Sequence, residues 1–131
     1  MTPQREEAAR LLRLARQDQA AFSALLGAPG VAMAVAFFHA QQATEKALKA
    51  VMCLRGLEYR RTHDLEELAG QLADAGCRPA VEEAELRLLT PYAVEYRYDD
   101  EAPELLTTAQ ALTIVASLLA WADAQTRLGS P

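Results

Sequence analysis

Apolar positions recur at helical spacing along most of the chain, and glycine or proline interrupts them at a few points. From about Pro3 to Leu26, the residues Leu11, Leu14, Ala15, Phe22, Leu25 and Leu26 lie along one broad stripe, which predicts a first helix. Pro3 suits its first turn, where a missing N–H costs nothing. Gly27, Pro29 and Gly30 then break the chain. A second helix is predicted from about Val31 to Arg55, ending at Gly56. At 1.5 Å per residue it would be roughly 37 Å long, the spine of a bundle. Its first half, VAMAVAFFHAQQA, is apolar almost all round and should be buried on several sides. Alanines at 32, 34, 36, 40, 43, 47 and 50 let neighbouring helices approach closely. The second half is amphipathic, with Lys46 and Lys49 three residues apart on one face.

The segment GLEYRRTHDLEEL leads to a short third helix whose inner face is Leu65, Leu68, Ala69 and Leu72. Asp64 followed by Glu67 resembles a capping box, with Thr62 as the alternative N-cap, and Gly76 is placed to end the helix as its C′ residue. Pro79 is expected to open a fourth helix marked by Val81, Leu86, Leu88 and Leu89. Pro91 should kink or restart it, and the run YAVEYRY should close it. After a polar loop of Asp99, Asp100, Glu101 and Pro103, the last helix is expected from about Pro103 to Arg127, with Leu105, Ala109, Leu112, Ala116 and Leu119 at helical spacing. Helices joined by short loops imply an antiparallel all-α bundle. Composition agrees: 27 Ala and 20 Leu stand against 15 Val, Ile and Thr, which excludes a β-sandwich. A chain of 131 residues with 51% hydrophobic positions fits one domain, and is too apolar for a disordered chain.

Charge divides the chain. Residues 1–63 carry nine Lys/Arg against five Asp/Glu, whereas residues 64–123 carry three against thirteen, within a net charge of −5. A basic half can attract phosphate while the acidic half faces solvent or a basic partner. The overall acidity argues against broad coating of nucleic acid. Cys53 and Cys77 are too few for a disulfide framework, lack metal-ligand spacing and read as buried free thiols. The start, MTPQREEAARLLRLAR, is charged and amphipathic, unlike a secretory leader. The uncharged stretch Ala20–Thr44 contains Gly27, Pro29, Gly30, His39, Gln41 and Gln42, a poor membrane span. A cytoplasmic protein that does not engage a membrane is the expectation.

The standard catalytic arrangements are missing: there is no glycine-rich phosphate loop, GxSxG, HExxH or CxxC. Glu82, Glu83 and Glu85 read as a solvated helix face, because carboxylates in consecutive positions do not converge. No metal site and no cofactor are expected. The segment from Gln41 to Ala50, then Thr62-His63-Asp64-Leu65, then Tyr96-Arg97-Tyr98, is the chemically richer part. Lys46 and Lys49 could join Arg97 and the Arg60–His63 region in one basic pocket, or Glu45 could simply pair with Lys49 along the helix. His63 with Asp64 reads as a local helix cap, with phosphate contact as its functional alternative. His39 reads as a core histidine. Tyr92, Tyr96 and Tyr98 read as packing residues or a stacking surface, and Trp121 and Phe22 as packing residues.

FHAQQATEKALKA, then THDL about a dozen residues later, then an RY pair ahead of a final helix, resembles the HEPN domain family. The resemblance runs from about Glu7 to Leu119. It implies a single HEPN-like domain over residues 1–131 with its core at about 5–127, folded as a four- to five-helix antiparallel up-and-down bundle and commonly a homodimer. It further implies a nucleotide- or RNA-binding protein, the partner of a minimal nucleotidyltransferase in a toxin–antitoxin-type module. On that basis Gln42, Lys46, Lys49, His63, Arg97 and Tyr98 are the candidate phosphate- or nucleotide-binding residues. Many HEPN proteins are metal-independent ribonucleases with an Arg, four to six residues, then a His near the dimer interface. Here Arg55, Arg60 and Arg61 precede His63 by seven, two and one intervening residues. The reading therefore leans to a role without catalysis. A ribonuclease using His63 with Arg61 or Arg97 is the first alternative, and a structural dimer or adaptor the second.

Overall fold

The computed structural model describes residues 2–97 and 99–128. Five α-helices follow in order among them: α1 (Pro3–Leu25), α2 (Met33–Leu54), α3 (Leu65–Asp74), α4 (Glu83–Leu89) and α5 (Thr108–Leu128), with a single 3-10 turn at Thr90–Ala93 between α4 and α5. The described residues contain no strand, so the all-α expectation holds. The helix α2 packs against all the others, most extensively against α1 and then α5. Its alanines are the reason: Ala36, Ala40, Ala43, Ala47 and Ala50 are each at most 1% exposed and bring the backbones of its neighbours close. Phe22, Phe37 and Tyr92 form an aromatic string through the core, with Phe37 and Tyr92 edge-on at 5.1 Å. No described helix is long and apolar enough to cross a membrane.

Helix ends follow local chemistry. At the end of α2 the Gly56 N–H donates to Cys53 and the Leu57 N–H to Met52, and at the end of α3 Gly76 and Cys77 donate in the same way to Ala73 and Leu72. Both glycines have φ near +70° to +80° (69° and 81°), the left-handed conformation these C-caps need. Asp64 caps α3 by accepting from the Glu67 N–H, while Thr62 accepts from the Asp64 N–H one step earlier. The Thr90 hydroxyl accepts a further α3 N–H, from Leu65, so the 3-10 turn helps to seat α3.

Two helices start later than their prolines suggest. The helix α4 begins at Glu83 rather than near Pro79, because Pro79 and Cys77 are buried in the connection instead. The helix α5 begins at Thr108 rather than Pro103. Tyr92 explains the delay, since its hydroxyl donates to the Pro103 carbonyl at 2.7 Å and accepts from the Leu105 N–H at 3.0 Å, holding that segment out of the helix. The helix is then opened by a capping box in which Thr107 accepts from the Gln110 N–H and the Gln110 side chain accepts from the Thr107 N–H. Pro91 acts as expected: α4 stops at Leu89 and the chain tightens into the 3-10 turn.

Candidate functional site

Among the positions of α2 that reach the surface, Val35, His39, Gln42, Lys46, Lys49 and Cys53 recur with steps of four and three. That spacing lines one face of a helix. Most of what lies between them is buried, Gln41, Thr44 and Glu45 included, so α2 shows the surface a narrow row that is polar from His39 to Lys49.

Each lysine of the row shares a carboxylate with a histidine, one carboxylate partly buried and the other buried. Asp18 on α1, with 14% of its side chain exposed, accepts from Lys46 Nζ, and its other oxygen lies 3.0 Å from His39 Nδ1. Glu45 on α2, with 7% exposed, accepts from Lys49 Nζ at 3.0 Å and lies 2.7 Å from His63 Nδ1. The two groups are joined through glutamines. Lys46 reaches Gln42 Oε1 at 3.4 Å, Gln42 donates to Gln41 Oε1 at 2.8 Å, and Gln41 donates to Glu45 and to the His63 carbonyl. A buried carboxylate is tolerable only when its charge is matched and its lone pairs are occupied, which holds for Glu45; the partly buried Asp18 is partnered in the same way.

His63 is 53% exposed, and its Nδ1 is committed to Glu45, so it does more than cap α3, which Asp64 does. The arginines that precede it go elsewhere. Arg55 donates to Gln125 near the far end of α5, Arg60 lies 3.4 Å from Glu67, and Arg61 stands on the exposed loop. Lys49 also lies 5.2 Å from the centroid of the Tyr59 ring, and burial raises the Tyr59 phenol and the neighbouring Cys53 thiol above their usual pKa ranges.

Arg97 enters at the other end of the row. Its guanidinium lies over the Phe38 ring, 4.1 Å from the centroid, and with Val35, Phe38 and His39 it lines a depression of about 240 Å³. His39 is therefore not the core histidine its apolar neighbours suggest: 28% of its side chain is exposed, and one nitrogen is fixed by Asp18. Tyr98, the remaining candidate, lies outside the described residues.

The structure thus ties Gln42, Lys46, Lys49 and His63 into one hydrogen-bonded network and places Arg97 beside His39. Of the two readings the sequence left open, the pairing of Glu45 with Lys49 along the helix is present, and the residues of the single basic pocket are spread along a row with two ends. Sequence reasoning assigned His39 to the core, gave Gln41 no role within the richer segment, and passed over Asp18 and Phe38. The four-three spacing from Val35 to Cys53 was the available signal for His39, whereas Asp18 is brought in only by the packing of α1 on α2. Chemically, the row offers ammonium groups held at fixed points and two imidazoles whose orientation a carboxylate sets. Among the described residues, no three or more His, Cys, Asp or Glu are grouped to hold a metal ion.

No curated protein and no solved structure matches the chain. The family model of the HEPN domain matches residues 8–125, which takes in α2, the α2–α3 loop and the turn that carries Arg97, and by that match the chain belongs to the HEPN domain family.

Proposed function

We propose that this HEPN protein binds nucleotide or RNA phosphate along the polar row of α2 and acts, as a homodimer, as the partner of a minimal nucleotidyltransferase in a toxin–antitoxin-type module. The observation that carries the binding role is the pair of lysines on one helix face, each held by a largely buried acid rather than left to sweep through solvent. Immobilised cations with one nearby imidazole each suit an anion of defined shape. The Arg97 guanidinium at the row's end adds a planar, permanently charged group. Family membership supports the nucleotide or RNA class. The excess of Asp and Glu over residues 64–123 offers charge to a basic partner.

The test uses Lys46→Glu and Arg97→Glu variants whose fold is verified by circular dichroism. Both are expected to weaken binding of AMP and of a short oligoribonucleotide, with pull-down of a minimal nucleotidyltransferase scored in parallel. Folded variants that keep every nucleotide, RNA and partner affinity would overturn the proposal.

One observation favours a second reading, metal-independent RNA cleavage. A histidine half exposed to solvent, with Nδ1 fixed 2.7 Å from a buried carboxylate, is arranged as general acids and bases are, with the second nitrogen left for the substrate. On this reading His63 handles the proton, and Arg97 or Arg61 reaches the phosphate from the second subunit. Cleavage of labelled RNA in EDTA that disappears in His63→Ala would establish it, and wild-type protein inert toward that RNA would leave the binding role.

A further inference from the structure

The depression at the Arg97 end of the row differs in chemistry from the lysines. It is walled by Val35, 39% exposed, by the Phe38 ring and by two planar cationic or ionisable groups, the Arg97 guanidinium and the His39 imidazole. Arg97 lies on Phe38 at 4.1 Å, and His39 meets the same ring edge-on at 5.1 Å. Three planar groups are therefore stacked or abutted around one opening of about 240 Å³. Phosphate needs no such surface, whereas an unpaired base does: bases stack on aromatic rings and on guanidinium planes alike.

We infer that the depression between Val35, Phe38, His39 and Arg97 is a nucleobase subsite, and that Lys46 takes the phosphate of the same nucleotide. The inference rests on the nucleotide- or RNA-binding reading above and extends it to a specific place for the base. The Asp18 carboxylate links the two parts. One of its oxygens holds His39 in the wall of the depression and the other holds Lys46, so imidazole and ammonium are separated by one carboxylate and two hydrogen bonds. With Nδ1 bound to Asp18, the other nitrogen of His39 has no partner among the described residues and is left for the edge of the base. A free nucleotide and a nucleotide within single-stranded RNA present the same chemistry here.

The experiment compares AMP, ribose 5-phosphate and an eight-residue oligoadenylate by calorimetry and fluorescence anisotropy, using the full chain. Wild-type protein is expected to bind AMP at least about fivefold more tightly than ribose 5-phosphate, the gain from one stacked base. Phe38→Leu, which keeps the volume but removes the ring, and Arg97→Lys, which keeps the charge but removes the plane, should both reduce AMP to the affinity of ribose 5-phosphate and leave ribose 5-phosphate unchanged. Lys46→Gln should weaken both ligands. If the oligoadenylate binds while AMP does not, and Phe38→Leu weakens it, the subsite serves RNA. Equal affinity of wild-type protein for AMP and ribose 5-phosphate, or AMP binding unmoved by both Phe38→Leu and Arg97→Lys, would overturn the base subsite and leave the phosphate reading standing. No binding of any of the three ligands would overturn both.

Discussion

Single side chains set what the polar row can do. Lys49 balances the charge of a carboxylate that is 7% exposed, and His63 and Gln41 take up its remaining hydrogen-bonding capacity. Replacing Lys49 by Met keeps the bulk but leaves Glu45 short of a charge partner. A loss of about 1–3 kcal/mol is expected, read from the urea midpoint at unchanged m. Lys46→Met should cost less, because Asp18 is the more exposed acid and keeps His39. Tyr92 is the corresponding residue in the core. Tyr92→Phe removes both hydrogen bonds to the Pro103–Leu105 segment, and destabilisation by about 1–3 kcal/mol is expected by the same measurement. Burial holds the Tyr92 phenol above its ordinary pKa, ahead of a smaller opposing effect from the Leu105 N–H. Its contribution is thus complete below the unfolded-chain value of about 10 and declines as pH rises through the higher folded value. Urea midpoints that fall above pH 10 in wild type but fall less in Tyr92→Phe would show it.

At the level of elements, the helices were legible because alanine, leucine and two left-handed glycines announce them without reference to anything distant. Gly56 and Gly76 were placed correctly by their position after an apolar run. A Cβ added to either meets nothing within 4 Å, so Gly56→Ala and Gly76→Ala should each cost about 1 kcal/mol through backbone strain alone, measurable by thermal unfolding. The starts of α4 and α5 were less legible, because proline permits a first turn without demanding one. For α5 the stronger signal was Thr107 with Gln110, and Thr107→Ala is expected to lower stability by about 1 kcal/mol. The site was legible only in part. Lys46 and Lys49 stood out by spacing within one helix. His39 was hidden because its immediate neighbours, Phe37, Phe38 and Ala40, argue for the core, and the residue that brings it to the surface network, Asp18, sits on another helix. Partnerships across 21 positions depend on how α1 rotates against α2, which no local pattern encodes.

For the whole molecule, part of the formal charge is held in ion pairs. Arg10 with Glu7, Arg87 with Glu66 and Arg16 with Asp123 add surface pairs to the two in the row, and the last ties α1 to α5. Exposed pairs of this kind contribute little to stability. Their effect on binding is larger. With two lysines to meet phosphate, the logarithm of RNA affinity should fall with the logarithm of salt with a slope no steeper than about −1.4, checked by anisotropy across a salt series. The acids beneath the row also shape how a ligand arrives. A lysine seated on a carboxylate looks from afar like a dipole, whose field dies away much faster than that of a lone cation. An approaching polyanion therefore feels the net charge of −5 before it feels either ammonium. Encounter should be slow and hardly quickened by lowering the salt, while recognition takes effect only at contact, where the nearer pole outweighs the farther one. The same two carboxylates that hold the lysines in place make the surface selective by making it hard to find.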